Sequence, residues 1–213
     1  MSNSTVSDNS ASTGGGIYNR GSATITGSTI EGNSAPQNGG GVYSGSFAFT
    51  LADSTVASNS ASDGGGIYID TNGTATISNS TLSGNTANTG IARGGAISFH
   101  SVNKRLAVTH STVAHNTSSI SSAIFLSGEA TIDNTLFAHN SEHSAIIGPD
   151  RSLAGRGNMS DSFVSSEVDW EFEVVDELPL GPLADNGGPT RTHALLLGSP
   201  AIDAGDPDFA GPP

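Results

Sequence analysis

One six-residue pattern, Ser/Thr-Thr/Leu-apolar-x-x-Asn, returns six times along the chain and constrains its fold more than any other feature. The copies are Ser4–Asn9, Ser28–Asn33, Ser54–Asn59, Ser80–Asn85, Ser111–Asn116 and Thr135–Asn140, at spacings of 24, 26, 26, 31 and 24 residues. A second motif follows each asparagine. It begins as Gly14-Gly15-Gly16-Ile17-Tyr18, Gly39-Gly40-Gly41-Val42-Tyr43 and Gly64-Gly65-Gly66-Ile67-Tyr68, and relaxes to Gly94-Gly95-Ala96-Ile97, Ser121-Ser122-Ala123-Ile124 and His143-Ser144-Ala145-Ile146. A third short apolar segment is centred on Ile25, Leu51, Ile77, Val108 and Ile132. Three short β-rich segments in each unit, with no helical period, predict one coil of a parallel β-helix. Equivalent residues of successive coils then stack about 4.8 Å apart in columns.

The fold expected is therefore all-β, a parallel β-helix of about six coils over residues 1–160. It is expected to be right-handed, because crossovers between parallel strands overwhelmingly are. The columns Val6/Ile30/Val56/Leu82/Val113/Phe137 and Ile17/Val42/Ile67/Ile97/Ile124/Ile146 fill its interior. The Asn9-to-Asn140 column turns inward at a bend and bonds backbone and its own neighbours. The acidic segment 161–213 belongs to the same domain as an irregular C-terminal cap. Within it Val168–Val174 alternates apolar with acidic residues, as in a strand that covers the last coil.

Composition narrows the function. Only 13% of residues are charged, against an average of about 25%. The regular apolar columns exclude the disorder that such a polar chain would otherwise suggest. With no cysteine, disulfides and thiolate metal sites are excluded. No apolar run approaches the ~20 residues of a membrane helix, so no membrane insertion is expected. The net charge of −13 is uneven: residues 1–160 carry nine acids and six Lys/Arg, residues 161–213 eleven acids and Arg191. An acidic chain without a basic stripe is not expected to bind nucleic acid. The first residues, Met1 to Ser10, lack a charged and an apolar leader region, and the chain reads as a piece of a longer protein whose signal and anchor lie elsewhere.

An asparagine followed by Gly-Gly-Ala/Gly-Ile resembles the paired repeat of chlamydial polymorphic outer membrane proteins and related bacterial surface passengers. The stretch Leu180–Thr190, then His193-Ala194-Leu195-Leu196 and Gly198–Gly205, is similar to the C-terminal signature of choice-of-anchor Q domain proteins. Together the two resemblances span essentially the whole chain. They imply a bacterial β-helix protein, secreted or at the cell surface, and bring no activity with them.

Candidate sites come from the columns. Tyr18, Tyr43 and Tyr68 alternate with inward residues, so they point outward as a platform for sugar rings. His115 and His139 precede successive ladder asparagines and would stand about 5 Å apart. His110, His143, Glu142 and Asp133 lie in the same two coils, and the group would bind a metal or supply an acid–base pair. Coil four is lengthened at Asn88–Arg93 and again at His100–Arg105, which gathers Arg93, Lys104 and Arg105. Insertions in solenoids go to loops, often on a binding face. Glu129 falls in register with Arg105 and pairs with it. Asp169, Glu171 and Glu173 would form a cation or basic-partner site. Asp203, Asp206 and Asp208 cluster carboxylates for calcium without the spacing of a calcium loop, and no other cofactor is expected.

Glycine triplets without a following Lys-Ser/Thr exclude a phosphate-binding loop, and no nucleophile elbow or metalloprotease motif is present. The reading is an extracellular, non-catalytic bacterial module for adhesion or contact with an acidic glycan or cell-surface polysaccharide, centred on Arg93, Lys104, Arg105, His115 and His139 with Tyr68 at the edge. The alternative is a carbohydrate-active enzyme, a polysaccharide lyase, glycoside hydrolase or epimerase, which rests on fold analogy alone. Ice binding through Thr5/Thr29/Thr55/Thr81/Thr112 would need a flat open face, and the column stops at Leu136.

Overall fold

The computed structural model describes residues 1–45, 47–70, 72–101, 104–141, 146–148, 153–162 and 172–207. The repeats form an all-β parallel solenoid of about six coils with three sheets along its axis, and no helix among the described residues. Face 1 stacks Thr5–Ser7, Thr29–Glu31, Thr55–Ala57, Thr81–Ser83, Thr112–Ala114, Leu136–Ala138, Asn158–Ser160 and Phe172–Val174. Face 2 stacks Ile17–Asn19, Val42–Ser44, Ile67–Ile69, Ile97–Phe99, Ile124–Leu126 and Ile146–Ile147. Face 3 runs from Ala23–Thr26 through Phe49–Ala52, Ala75–Ser78, Arg105–Thr109 and Glu129–Asp133 to Leu153–Ala154. A narrow fourth sheet, Ser34–Asn38, Ser60–Asp63 and Thr86–Ala87, fills the bend between faces 1 and 2.

Register follows the repeat residue by residue. Val6 pairs with Ile30, Ile30 with Val56, Leu82 with Val113 and Val113 with Phe137, so one inward column stays apolar through the stack. The other faces add Val42, Ile67, Ile97 and Ile124, and Leu51, Ile77, Val108 and Ile132, to a single continuous core.

Two polar ladders hold the bends. From Asn9 to Asn116, each ladder asparagine donates its backbone N–H and its side-chain N–H to Oδ1 of the asparagine one coil on, at 2.9–3.1 Å. From Asn33 to Asn140, Nδ2 also donates to a carbonyl of the preceding coil: Val6, Ile30, Val56, Leu82 and Val113. A serine ladder does the same one bend earlier. Ser4, Ser28, Ser54 and Ser80 each donate N–H to the next hydroxyl, and those of Ser28, Ser54, Ser80 and Ser111 donate to carbonyls two residues back. At the last coil Asn158 takes the place of a serine, accepting from the Thr135 N–H and donating to Ile132 O.

The corners between strands need the left-handed region. One is occupied by Asp8, Gly32, Ser58, Gly84, His115 and His139, all at φ between 54° and 65°. Asn, Asp, His and Gly tolerate that region best. Glycine is required next door for another reason: a Cβ on Gly40 would collide with the carbonyls of Gly65 and Ser60.

The chain does not end at the last coil. Phe172–Val174 adds in parallel to Asn158–Ser160, and Phe172 packs on Phe137 with centroids 5.5 Å apart. The segment then runs back along the outside of face 1 as a strap. Leu178, fully buried, packs with Ala114, Ala138 and Met159, and Val175, Leu180 and Ala201 pack against this second cluster. An antiparallel hairpin, Leu180–Ala184 with Thr192–Leu195, reaches the early coils. There Arg191 pairs with Glu31, its carbonyl accepts from Thr55 Oγ1 at 2.6 Å, and Thr190 Oγ1 donates to Asp53 O at 3.3 Å. Beyond the hairpin the strap returns to coil six, where Asp206 pairs with Arg156 at 3.0 Å and its N–H donates to Asn134 Oδ1 at 2.8 Å.

The strap has a track. Ala57, Ser83, Ala114 and Ala138 occupy the outward-turned third position of their strands, yet all four are buried. Small side chains there let the second layer approach the sheet. Thr55 and Thr81 are buried as well, so the outward threonine column is not the open face that ice binding requires.

The ladder makes a stability prediction. Asn59→Ala removes an acceptor shared by two groups of Asn33 and the partner of Ile30 O, and should cost about 3 kcal/mol, since each buried orphaned group costs about 1–3 kcal/mol. Ser58→Ala, at an exposed corner, should change stability by no more than about 0.5 kcal/mol. Urea midpoints of the two variants test this, and equal shifts would remove the ladder from its structural role.

Candidate functional site

Tyr18, Tyr43 and Tyr68 are the central residues of three face 2 strands and are in direct register. With Ile or Val before each of them turned into the core, alternation turns the rings outward. Their centroids are 5.0 and 5.5 Å apart with planes within 9°. The next residue in register is Ser98, which has no ring. His100, two residues on, fills the gap and stacks on Tyr68 at 4.9 Å. Phe125 continues the row at 5.3 Å, and the Arg93 guanidinium lies 4.8 Å from its centroid. Five rings and a cation thus run across five successive strands of face 2, from Ile17–Asn19 to Ile124–Leu126. The tyrosines spend their faces on one another, so the row offers ring edges and phenol groups to solvent, with Tyr18 the most open at 53%.

Burial and the nearby carboxylate of Asp70 push the Tyr43 phenol above its ordinary value. Tyr68 is pushed up to about 12, by burial first and then by Asp63 and Asp70. Both remain hydrogen-bond donors throughout the physiological range.

His100 is clamped beside the row. Ser98 Oγ donates to Asp63 Oδ1 at 2.8 Å and lies 2.9 Å from His100 Nε2, which is 3.5 Å from Asp63 Oδ2. Because the serine proton goes to Asp63, Nε2 carries the hydrogen and donates to Ser98. A catalytic relay needs serine and carboxylate on different ring nitrogens; here both face the same one. The three residues fix a ring and do not activate a nucleophile.

The histidines of the left-handed corner meet as the column spacing requires, with His115 and His139 stacked at 5.0 Å. Sequence reasoning missed two partners. Asp161 accepts the backbone N–H of His139, at 2.9 and 3.0 Å, and its carboxylate lies 3.2 Å from His139 Nδ1. His193 arrives from the strap, 5.3 Å from His115. Its Nδ1 is 2.7 Å from Gly181 O, so that nitrogen donates, and Nε2 at 2.8 Å accepts from Ser83 Oγ. Ser83 is buried, and the N–H of its neighbour Gly84 is committed to Ala114 O. The bond fastens the strap. The only earlier signal was His193 within the C-terminal motif.

The remaining candidates are dispersed. Asp133 stands at the end of face 3, where Oδ1 accepts the Arg156 N–H at 3.0 Å, and His110 lies beside Asn134. Glu142 and His143 fall outside the described residues, as do Asp169, Glu171 and Asp208. Asp206 is paired with Arg156 and Asp203 is exposed at a left-handed turn. Glu173 is exposed on the last strand of face 1. Among the described residues no three His, Asp or Glu side chains are grouped to hold a metal. Arg105 and Glu129 meet at 3.5 Å, both largely exposed. Lys104 is exposed beside them, and Arg93 lies at the other end of the strand Ile97–Phe99. The lengthened turn of coil four borders a shallow groove of about 490 Å³. Its Ser118, Ser119 and Thr89 hydroxyls are already spent on carbonyls of Ser121, Thr89 and Ser62.

The model of the Chlamydia polymorphic membrane protein repeat matches residues 27–45. That stretch contains one complete set of the structural devices above: Ser28 and Asn33 of the ladders, Ile30 and Val42 of the core, the corners Gly32 and Gly39, and Tyr43 of the row. No curated protein and no solved structure matches the chain.

A pH titration checks the ring environment. Tyrosinate absorbance should show a component with its midpoint at about 12, and Tyr68→Phe should remove it. Loss of no component above the ordinary range of about 10 would place Tyr68 outside the buried row.

Proposed function

We propose that this chain is a non-catalytic coil stack of a bacterial surface or secreted protein that contacts an acidic glycan along the outer side of face 2. The carrying observation is the file of five rings from Tyr18 to Phe125, ended by Arg93, on a face away from the strap's described contacts with face 1. The repeat match at residues 27–45 supports the surface assignment.

The chemistry fits a linear, oxygen-rich polymer lying along the solenoid axis. Aromatic edges carry the positive part of the ring quadrupole, and protonated phenols are donors, so both favour hydroxyl and carboxylate oxygens. One contact per coil is weak, and repetition makes it useful through effective concentration. Arg93, Lys104 and Arg105 flank the coil-four end and favour an anionic polymer over a neutral one, although Asp63 and Asp70 lie close to the row.

Oligosaccharide arrays probed with wild type, Tyr18→Phe/Tyr43→Phe and Arg93→Ala/Lys104→Ala test the reading. Phenylalanine keeps the stack and removes the donors. Anionic glycans should bind wild type, weaken about tenfold in each double variant, and weaken with added salt as charges are screened within about 8–10 Å. Undiminished binding in both variants, or binding to no glycan, would overturn it.

A further inference from the structure

The strap crosses face 1 on a seam whose centre is three imidazoles. His115 lies between His139 of the next coil, at 5.0 Å, and His193 of the strap, at 5.3 Å. The ends of the seam are different in kind: the Arg191–Glu31 pair with Thr55 at one end and the apolar cluster around Leu178 at the other. We infer that this seam is an acid-operated latch, in which protonation of His115 at the centre of the imidazole cluster undocks the strap from face 1 while the coils remain folded.

The charge balance at the centre supports it. Among the described residues, the titratable groups facing His115 are His193 from the strap, His139 from the following coil and Asp161 from the coil after that. Asp161 is the single carboxylate among them and already meets His139 at both its ring and its backbone N–H. A proton on His115 places a cation between the imidazoles of His139 and His193, where the two layers meet. The bond between His193 and Ser83 does not involve His115, so it is not the trigger. The trigger is a partly buried cation at the seam.

The direction is that of burial. His115 is held below its ordinary 6.5, first by burial, then by His193 and by His139, with Asp161 opposing. A docked state that holds this proton more weakly than the released state is fully favoured above 6.5. It loses ground as pH falls, because the released strap lets His115 take the proton first. The Asn and Ser ladders that set the coil register contain no group that titrates in that window. Release would uncover Thr55, Thr81 and Ser83 together with the small-residue track.

Hydrogen exchange of the full chain at about pH 7.5 and about pH 5, corrected for intrinsic rates, reads the latch directly; the lower arm stays above the ordinary carboxylate range of about 4. Strap peptides over residues 175–207 should lose protection about tenfold or more, while peptides of faces 2 and 3 keep theirs. His115→Asn, chosen because asparagine tolerates the left-handed corner, should flatten the response. An imidazole titration of wild type by NMR gives a second reading independent of any variant, with His115 titrating below 6.5. Strap protection that ignores pH, equal acid opening in His115→Asn, coils that open together with the strap, or a His115 titration at or above 6.5 would each overturn the proposal.

Discussion

The whole solenoid depends on an amide that is buried once per coil and satisfied only by its own equivalents. Each mid-ladder asparagine accepts two hydrogen bonds on Oδ1 from the coil before it and donates from Nδ2 both forward and back. An unsatisfied buried amide is expensive, so a slip of one residue in any coil would leave several such groups without partners. Hydrophobic columns would turn outward on such a slip but would tolerate any aliphatic neighbour, since one packs much like another. The amide ladder does not. It fixes which residue of coil n lies over which residue of coil n + 1, and every column described above follows from that.

Once register is fixed, columns become surfaces. On face 2 the consequence is a file of aromatic rings that survives the loss of its own repeat. Coil four has Ser98 where the earlier coils have tyrosine, and the chain supplies His100 from two positions on, clamped by Asp63 and Ser98. The row therefore passes the lengthened coil without a break and ends under Arg93.

On face 1 the consequence is a second layer. A sheet that turns Ala57, Ser83, Ala114 and Ala138 outward is flat enough for a strap to lie against it. The strap is held by groups of three kinds: an ion pair at the early coils, imidazoles in the middle and an apolar cluster at the late coils. Among the described residues, faces 1 and 2 of the solenoid thus differ: one carries the protein's own strap and the other a file of aromatic rings.

The repeat in the sequence by itself determined the coil, the inward columns, the inward asparagines and the stacking of Tyr18, Tyr43 and Tyr68 and of His115 with His139. These all depend on residues at a constant offset, and a constant offset becomes a contact as soon as the chain coils. The pairing of Arg105 with Glu129 was legible for the same reason. The contacts that do not share the repeat offset were decided by tertiary structure alone. His193 lies 110 residues from Ser83 and Arg191 lies 160 from Glu31, separations set by the path of the strap. Nothing local in Ala57, Ala114 or Ala138 says that an outward alanine will be buried; that depends on what is laid over it. His100 entered the ring row from just past the end of the strand Ile97–Phe99, outside the repeat offset, and the serine ladder went unread because a serine in a polar repeat looks like any other surface serine until its neighbours one coil away are known.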